Sequence, residues 1–515
     1  MRGSITVFAT LVLMLVSQFL FTALEAGRNI ALSNIARMNS EAVAESVFAQ
    51  YCRPMWDEYR LLTYDAGSNA AGGVNLEEIE TYMKTVTTEN FQISTDDTIS
   101  LGTSLLRLSM DETDFSQYAL MTDDNGGVYV NEIVSYMKKN MGYEVAKGLY
   151  GQYQSINDSV SNSKYDDKGI DDAIGSLKNS GQSQGAGKSI SRPSPVHCAP
   201  TSSSKKSAAG TASTTDDAAN TVENPLVKVK QVKAGGILSQ VVSESTVSGN
   251  TISTSDRVSS RNLNKGTGDL NDSEDWYAKI LMQQYFLTYM SNYTSHNEDT
   301  NSLVYELEYI ISGACDDKTN LQTVVTEILA IREAANLAYL IGSPAKQAEA
   351  LALATALAAI TLNPAIVEAV KWGLLIGWAY CESVLDVRAL LAGDKIPMIK
   401  SDATWTSGLS GMGDLLSGNA KAKSSEFGIG YTSYLGVLLF TKSTKTLAYR
   451  AMDVQEATVR QIEGYENFRM DNCICKMSAD VTYKYHGIFL CFVNLLNGAS
   501  DEFSIKNKAQ YSYYD

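Results

Sequence analysis

The sequence predicts an α+β fold that is predominantly helical: a long N-terminal transmembrane helix, a mixed α/β ectodomain and a C-terminal helical bundle with a short β element. Three observations predict it. Residues Ile5 to Leu24 form an uncharged apolar run, residues 276–391 carry apolar side chains at three- and four-residue steps, and Ala479 to Phe492 alternates Val481, Tyr483 and Tyr485 with polar neighbours.

The apolar run ITVFATLVLMLVSQFLFTAL is interrupted only by Ser17, Gln18 and threonines. At ~1.5 Å per residue it matches the ~30 Å of a bilayer core. Between Gly27 and Pro54 there is neither glycine nor proline, and Leu32, Ile35, Met38 and Ala42 recur as one face of a continuing helix. The spacing therefore predicts one rod over residues 4–50, with Ile5, Phe8, Leu13, Gln18 and Leu24 in the lipid.

A cleaved secretory signal fits poorly. The segment before the run holds only Arg2, and no small-x-small site closes it before Glu25-Ala26-Gly27-Arg28. A plain signal anchor and a pilin-like segment are the remaining readings. Arg2 on one side and Arg28 and Arg37 on the other nearly balance. The expected topology is single-pass in the cell membrane, with the N-terminus cytoplasmic and the bulk extracellular.

Met1-Arg2-Gly3 followed at once by SITVFATLVLMLV resembles the short leader, glycine and apolar helix of type IV pilin-like proteins, most of all the TadE/TadG-type pseudopilins of the tight adherence (Tad) pilus. Glu45-Ser-Val-Phe-Ala-Gln-Tyr51, Leu307-Glu-Tyr-Ile-Ile311, Ile331-Arg-Glu-Ala-Ala-Asn336 and Glu382-Ser-Val-Leu-Asp-Val-Arg388 resemble stretches of an uncharacterised Gram-positive family associated with tight adherence pilus loci. The resemblance implies leader processing between Gly3 and Ser4. It departs at Phe8, the fifth residue after such a cut, where pilins carry a glutamate that neutralises a neighbour's terminal amine in the apolar filament core. A filament subunit and an anchored component sharing the pilin topology both remain open.

A net charge of −16 and a pI near 4.8 argue against a nucleic-acid partner, whose phosphates require a basic face. Seven cysteines in 515 residues are too few and too odd in number for a disulfide scaffold, so the fold must rest on its core. Cys473 and Cys475, with His486 and Cys491 following, offer four zinc ligands without the usual knuckle spacing, and core packing is the better account.

After the possible leader (1–3) and the rod (4–50), residues 51–178 read as a small α+β region. Trp56, Tyr59, Leu61, Leu62 and Tyr64 could seat it on the rod. Glu78-Ile-Glu-Thr-Tyr-Met-Lys84 and Glu132-Ile-Val-Ser-Tyr-Met-Lys138 echo each other as short amphipathic helices. Asp123-Asp-Asn-Gly-Gly127 between apolar runs predicts a hairpin. It fails as a calcium loop, because Val134 stands where the bidentate glutamate belongs.

Residues 179–224, rich in Ser, Thr, Gly and Lys, predict a disordered linker. Within it GAGKS (185–189) lacks the first phosphate-loop glycine, position 182 being Gln, and His197 and Cys198 are assigned nothing. Leu226 to Lys233 alternates apolar and basic residues, as an edge strand or a short basic helix would.

Residues 225–403 predict an antiparallel helical bundle of segments Trp276 to Tyr293, Leu303 to Ile311, Leu321 to Ile341, Lys346 to Leu362 and Pro364 to Leu391, punctuated at Gly313 and Asn363-Pro364. The last two are apolar, but Glu368, Lys371 and Glu382 and the proline argue against a second membrane span. Glu306, Glu308, Arg332, Glu382, Asp386 and Arg388 lie among apolar neighbours. Such charges persist only when paired, which predicts a structural ion-pair network. Glu382 and Asp386 share a helix face and could do acid/base work, but no nucleophile accompanies them.

The closing 404–515 reads as mixed α/β: an apolar helix Tyr431 to Phe440, a polar helix Glu456 to Phe468, the alternating strand, and the tail KNKAQYSYYD as a frayed end or contact strip. Three histidines and no phosphate-loop, nucleophile-elbow or zinc-protease motif leave no catalytic constellation, no cofactor and no metal to assign.

The expected function is therefore a membrane-anchored, non-enzymatic assembly or accessory protein, minor-pseudopilin-like, of a tight-adherence-type pilus or related surface structure. Its partners would be membrane lipid and other pilus or secretion-system subunits. An extracellular binding module, or an enzyme using Glu382 and Asp386, is the alternative.

Overall fold

The computed structural model describes residues 2–67, 73–91, 107–161, 168–180, 224–267, 275–296, 302–489 and 502–514. The linker expected over 179–224, with GAGKS, His197 and Cys198, lies almost wholly outside them.

The helices in chain order are α1 Arg2–Phe48, α2 Arg53–Tyr59, α3 Leu76–Phe91, α4 Asp123–Asn140, α5 Tyr143–Ser161, α6 Lys168–Ser180, α7 Pro225–Ala234, α8 Leu238–Val241 and α9 Trp276–Tyr289. There follow α10 Glu306–Ser312, α11 Asp317–Gly342, α12 Pro344–Leu357, α13 Pro364–Leu391, α14 Met412–Ser417, α15 Tyr431–Thr441 and α16 Thr444–Val459. The strands are β1 Tyr64–Asp65, β2 Leu108–Leu120, β3 Cys473–His486 and β4 Glu502–Ser512. The fold is α+β and mostly helical. Two compact units divide the chain discontinuously, one of residues 1–158, 247–324 and 432–515, the other of 159–246 and 325–431. The sequence reading cuts the chain into consecutive blocks instead.

In the first unit β3 is the central strand of an antiparallel sheet. Along one edge it pairs with β2, from Leu108 opposite Tyr485 to Leu120 opposite Ile474. Along the other it pairs first with β1 and then with β4, from Lys476 opposite Ser512 to His486 opposite Glu502. The tail read as a frayed end or contact strip thus supplies most of β4, its alternation blurred by the polar run Lys506-Asn507-Lys508.

The C-terminal half of α1 packs on this sheet. Leu32, Ala36, Val43, Ala44, Val47 and Phe48 join Ile79 and Met83 of α3 and Ile474, Met477, Val481 and Tyr483 of β3 in one core. The rod extends as expected, but its buried face differs. Met38 is 63 % exposed, and the face turned inward carries Asn39 and Ser40, both of which donate to the Tyr483 hydroxyl, at 2.9 and 3.1 Å. Small and polar side chains let the helix approach the sheet closely, so hydrophobicity alone misplaces the stripe.

The hairpin expected at Asp123-Asp-Asn-Gly-Gly127 is absent. Asp124, Asn125 and Gly126 do adopt left-handed backbone, with φ of 54°, 55° and 87°, but the chain then enters α4. Val128, Tyr129, Ile133, Val134 and Met137 are buried at helical spacing, which a short Val-Tyr-Val run cannot distinguish from a strand. Asp123 pins the corner by accepting the N–H groups of Leu120 and Gly266. Of the two echoing segments, each lies in a helix, α3 and α4.

The second unit is built round α13, buried almost without interruption from Val370 to Leu391. Gly373 lets α6 lie against it, since a methyl there would meet the Ala173 methyl and the Gly169 carbonyl oxygen at 3.1 Å. Asn363 caps α13 by accepting from Ala365 N–H at 3.0 Å, and proline follows it where its missing N–H costs nothing. Asn224 and Pro225 start α7 in the same way, so Leu226 to Lys233 is a helix. The polar helix expected over Glu456 to Phe468 ends earlier, α16 stopping at Val459, with Gly464 at φ +89° beyond it.

Candidate functional site

Three features carry chemistry: the free half of α1, a buried charge cluster and an aromatic cleft. On α1, Ile5, Phe8 and Leu13 are 67–69 % exposed and Leu24 44 %, and Gln18 lies on the same exposed stretch. None of that apolar window is buried, and among the described residues α1 is the one helix long and apolar enough to cross a membrane. Gly3 and Ser4 fall in its first turn.

The apolar stretch ends in a polar clasp. Glu25 is 3 % exposed, pairs with Arg28 at 2.7 Å and accepts the backbone N–H groups of Ile488 at 3.1 Å and Phe489 at 2.7 Å. The buried helix begins one residue after the apolar run closes, so the two halves of α1 are one continuous element with different surroundings.

The six charges expected to form one network do not. Arg332, Glu382 and Asp386 are brought together in the second unit, and the cation that completes them is Lys400, which the sequence reading missed. Arg332 reaches Asp386 Oδ2 at 2.9 Å, Lys400 Nζ reaches Asp386 Oδ1 at 2.6 Å and also pairs with Glu382, and all four side chains are 0 % exposed. Asn336 adds a 2.9 Å bond to Asp386, and Glu382 accepts the N–H groups of Thr406 and Ser407 at 2.9 and 2.7 Å. Two acids and two bases leave no net charge, which is how ionised groups persist without water. Lys400 sits beyond Pro397, outside any periodic segment, so nothing in its surroundings marks it as a core residue.

Arg388 instead donates to main-chain carbonyls, those of Gln240, Leu415, Leu416 and Ala420 at 2.6–3.1 Å. Glu306 and Glu308 belong to the first unit. Glu306 accepts from the Tyr59 hydroxyl and Ser291 N–H, both at 2.8 Å, and Glu308 from Tyr293 N–H at 2.9 Å. Burial holds the Glu306 carboxyl above the ordinary carboxylate range, with these bonds opposing it. Helical spacing groups residues along one element but says nothing of which elements meet, so the six were merged.

The first unit has a charge cluster of its own. Arg261 forms a two-pronged bond to Glu456 at 2.6 and 2.7 Å and a third to Asp471 at 2.5 Å. Burial works against ionising Asp471, yet the Arg261 guanidinium holds its carboxyl below the usual range.

The aromatic cleft, of about 460 Å³, lies between the ends of α9, α15 and α16. Trp276 stands 5.1 Å from Tyr150, Tyr150 lies 5.6 Å from Phe440, and Lys279 Nζ is 5.3 Å above the Phe440 ring. Asp275 and Ser443 cap α9 and α16 at its rim. Sequence reasoning did not bring these rings together, because helices remote in the chain supply them.

Cys473 and Cys475 are buried free thiols, pushed well above the usual thiol range by burial, and they donate to Arg469 O and Thr63 Oγ1. Cys491 lies outside the described residues. Among the described residues no three His, Cys, Asp or Glu side chains are grouped to hold a metal ion.

Residues 215–485, a little over half of the chain, match a family of unknown function (DUF5702). No curated protein and no solved structure matches the chain.

Proposed function

The chain belongs to the DUF5702 family, and from that premise we propose that it is a membrane-anchored, non-enzymatic assembly protein of the cell surface, with the pilin-like topology of a minor or accessory subunit of a tight-adherence-type pilus. The observation that carries the reading is α1. One unbroken helix leaves Ile5–Leu24 bare and inserts Leu32–Phe48 into a folded core.

A removable signal sequence is a poorer fit to that helix. A cut past Leu24 would fall inside the buried clasp of Glu25 and Arg28 and break a helix that the sheet core already holds. Topology with the N-terminus inside and the bulk outside belongs to the same proposal. A non-enzymatic role is supported by the sealed state of Glu382 and Asp386, both at 0 % exposure and matched by Arg332 and Lys400.

Assembly would use the bare face of α1 against other membrane helices, where dispersion and close packing rather than the hydrophobic effect drive association. The test is a photo-crosslinking residue at Leu13 in intact cells. Adducts with a second polypeptide support assembly, and adducts with lipid alone overturn it.

A second reading, an extracellular binding module, is favoured by the aromatic cleft. Trp276, Tyr150 and Phe440 offer ring faces and the helix caps offer polar groups, a combination that suits a glycan. Fluorescence titration of wild type against Trp276→Phe with cell-wall fragments tests it: saturable quenching present only in wild type supports it, and equal response in both contradicts it.

A further inference from the structure

The sheet of the first unit runs down α1 like a ruler. At the top, the Tyr513 hydroxyl donates to the Phe48 carbonyl at 2.5 Å, beside the start of β3. Lower down, Asn39 and Ser40 hold Tyr483. Below that, the Arg28 guanidinium stands 5.6 Å from the Tyr485 ring centre. At the bottom, Glu25 takes the N–H groups of Ile488 and Phe489. Helix positions 39, 28 and 25 thus meet successively later residues, Tyr483 and Tyr485 of β3 and then Ile488 and Phe489 just past its end. The strand descends toward the apolar span and leaves its end at the first residue after Leu24.

What leaves β3 there is apolar. The connection to β4 opens Gly487-Ile488-Phe489, and its sequence continues Leu490-Cys491-Phe492-Val493-Asn494-Leu495-Leu496, one amide and no charge. Residues 490–501 lie outside the described ones. A hairpin connection exposed to water is ordinarily polar with turn formers.

We propose that the beginning of the β3–β4 connection, Ile488 and Phe489, is a second membrane contact that enters the lipid interface beside α1. The inference rests on the reading of Ile5–Leu24 as a membrane span. Its chemistry is that of two half-buried apolar side chains beside N–H groups that are already paired: Glu25 occupies the N–H groups of both residues, which removes the cost of carrying unpaired backbone donors toward hydrocarbon. Two attachment points, a span and a wedge, fix the rotation of α1 about its axis as one span cannot.

The test uses the full-length chain in phospholipid vesicles, with Phe489→Trp and, separately, Ile488→Trp. Both substitutions leave the backbone bonds to Glu25 in place. Emission of the added tryptophan is measured as the difference from wild type, whose five tryptophans are common to all samples. The expected result is loss of the added emission in vesicles of acyl-brominated lipid, with no loss on adding aqueous iodide. Quenching by iodide, or shielding from both quenchers as packing against the protein would give, overturns the proposal. An alkaline wash of the same vesicles separates this from the underlying reading. A chain released by the wash overturns both, and a retained chain with a water-quenched tryptophan overturns only the second contact.

Discussion

Asn39 donates its side-chain amide to the hydroxyl of Tyr483, 444 residues further along the chain, at 2.9 Å. The bond ties α1 to the central strand of the sheet, deep in a face otherwise made of Ala, Val, Leu and Phe48. Tyr483→Phe therefore removes the hydroxyl that both Asn39 and Ser40 contact. Ser40 keeps its bond to the Ala36 carbonyl and Asn39 its bond to Thr87, so the loss is about 1–3 kcal/mol. Chemical denaturation in detergent, followed by near-ultraviolet circular dichroism, measures it.

Lys400 neutralises two carboxylates that have no water. Lys400→Met leaves Glu382 and Asp386 with one guanidinium between them, at a cost of about 3–5 kcal/mol. Adding Glu382→Gln to that variant returns part of the loss, because the surplus charge goes with it. Denaturation midpoints of the single and double variants give the sign. A double variant no more stable than Lys400→Met would contradict the pairing.

Glu132 is a buried acid of the first unit whose carboxyl lacks a charged partner at bonding distance. Its Oε1 accepts only a 3.3 Å bond from Leu62 N–H, and burial lifts its carboxyl from the ordinary 4.5 to about 7, with Lys139 opposing weakly. The folded state therefore keeps the proton that the unfolded state loses. Below pH ~4.5 both states are protonated and nothing is lost. As pH rises from there to 7 the unfolded chain is favoured, by up to ~3 kcal/mol above pH 7. Glu132→Gln should match wild type near pH 4 and exceed it at pH 8, read as melting temperature against pH.

Gly373 tests the packing of the second unit. Alanine favours a helix interior over glycine by about 0.5–1 kcal/mol, but here its methyl would meet Ala173 and Gly169 O. Overpacking of this kind costs about 1–3 kcal/mol, so Gly373→Ala lowers the melting temperature. Pairing it with Ala173→Gly restores part of the loss.

The fold class, the N-terminal rod and the helices from 276 to 391 were legible because each is a long segment with one dominant period. The boundary at Asn363-Pro364 was legible from its proline, and that at Asn224-Pro225 from the change in composition. Three things were not. Val128-Tyr129-Val130 is too short for its period to be read, so the left-handed residues before it suggested a hairpin. The inward face of α1 is polar at Asn39 and Ser40, and its partner Tyr483 lies at the far end of the chain. Lys400 stands in a loop where only the tertiary arrangement makes it a core residue. In each case the deciding contact joins residues remote in sequence, which periodicity does not encode.

The central claim is that Ile5–Leu24 stays in lipid while the rest of α1 is held by the folded chain. Alkaline extraction of cell membranes, followed by mass measurement of the protein in pellet and supernatant, tests it most directly. The account predicts a polypeptide that retains Ile5–Leu24, stays in the pellet and is released by detergent alone. Recovery in the supernatant, either with that segment or starting beyond Ala26, would contradict it.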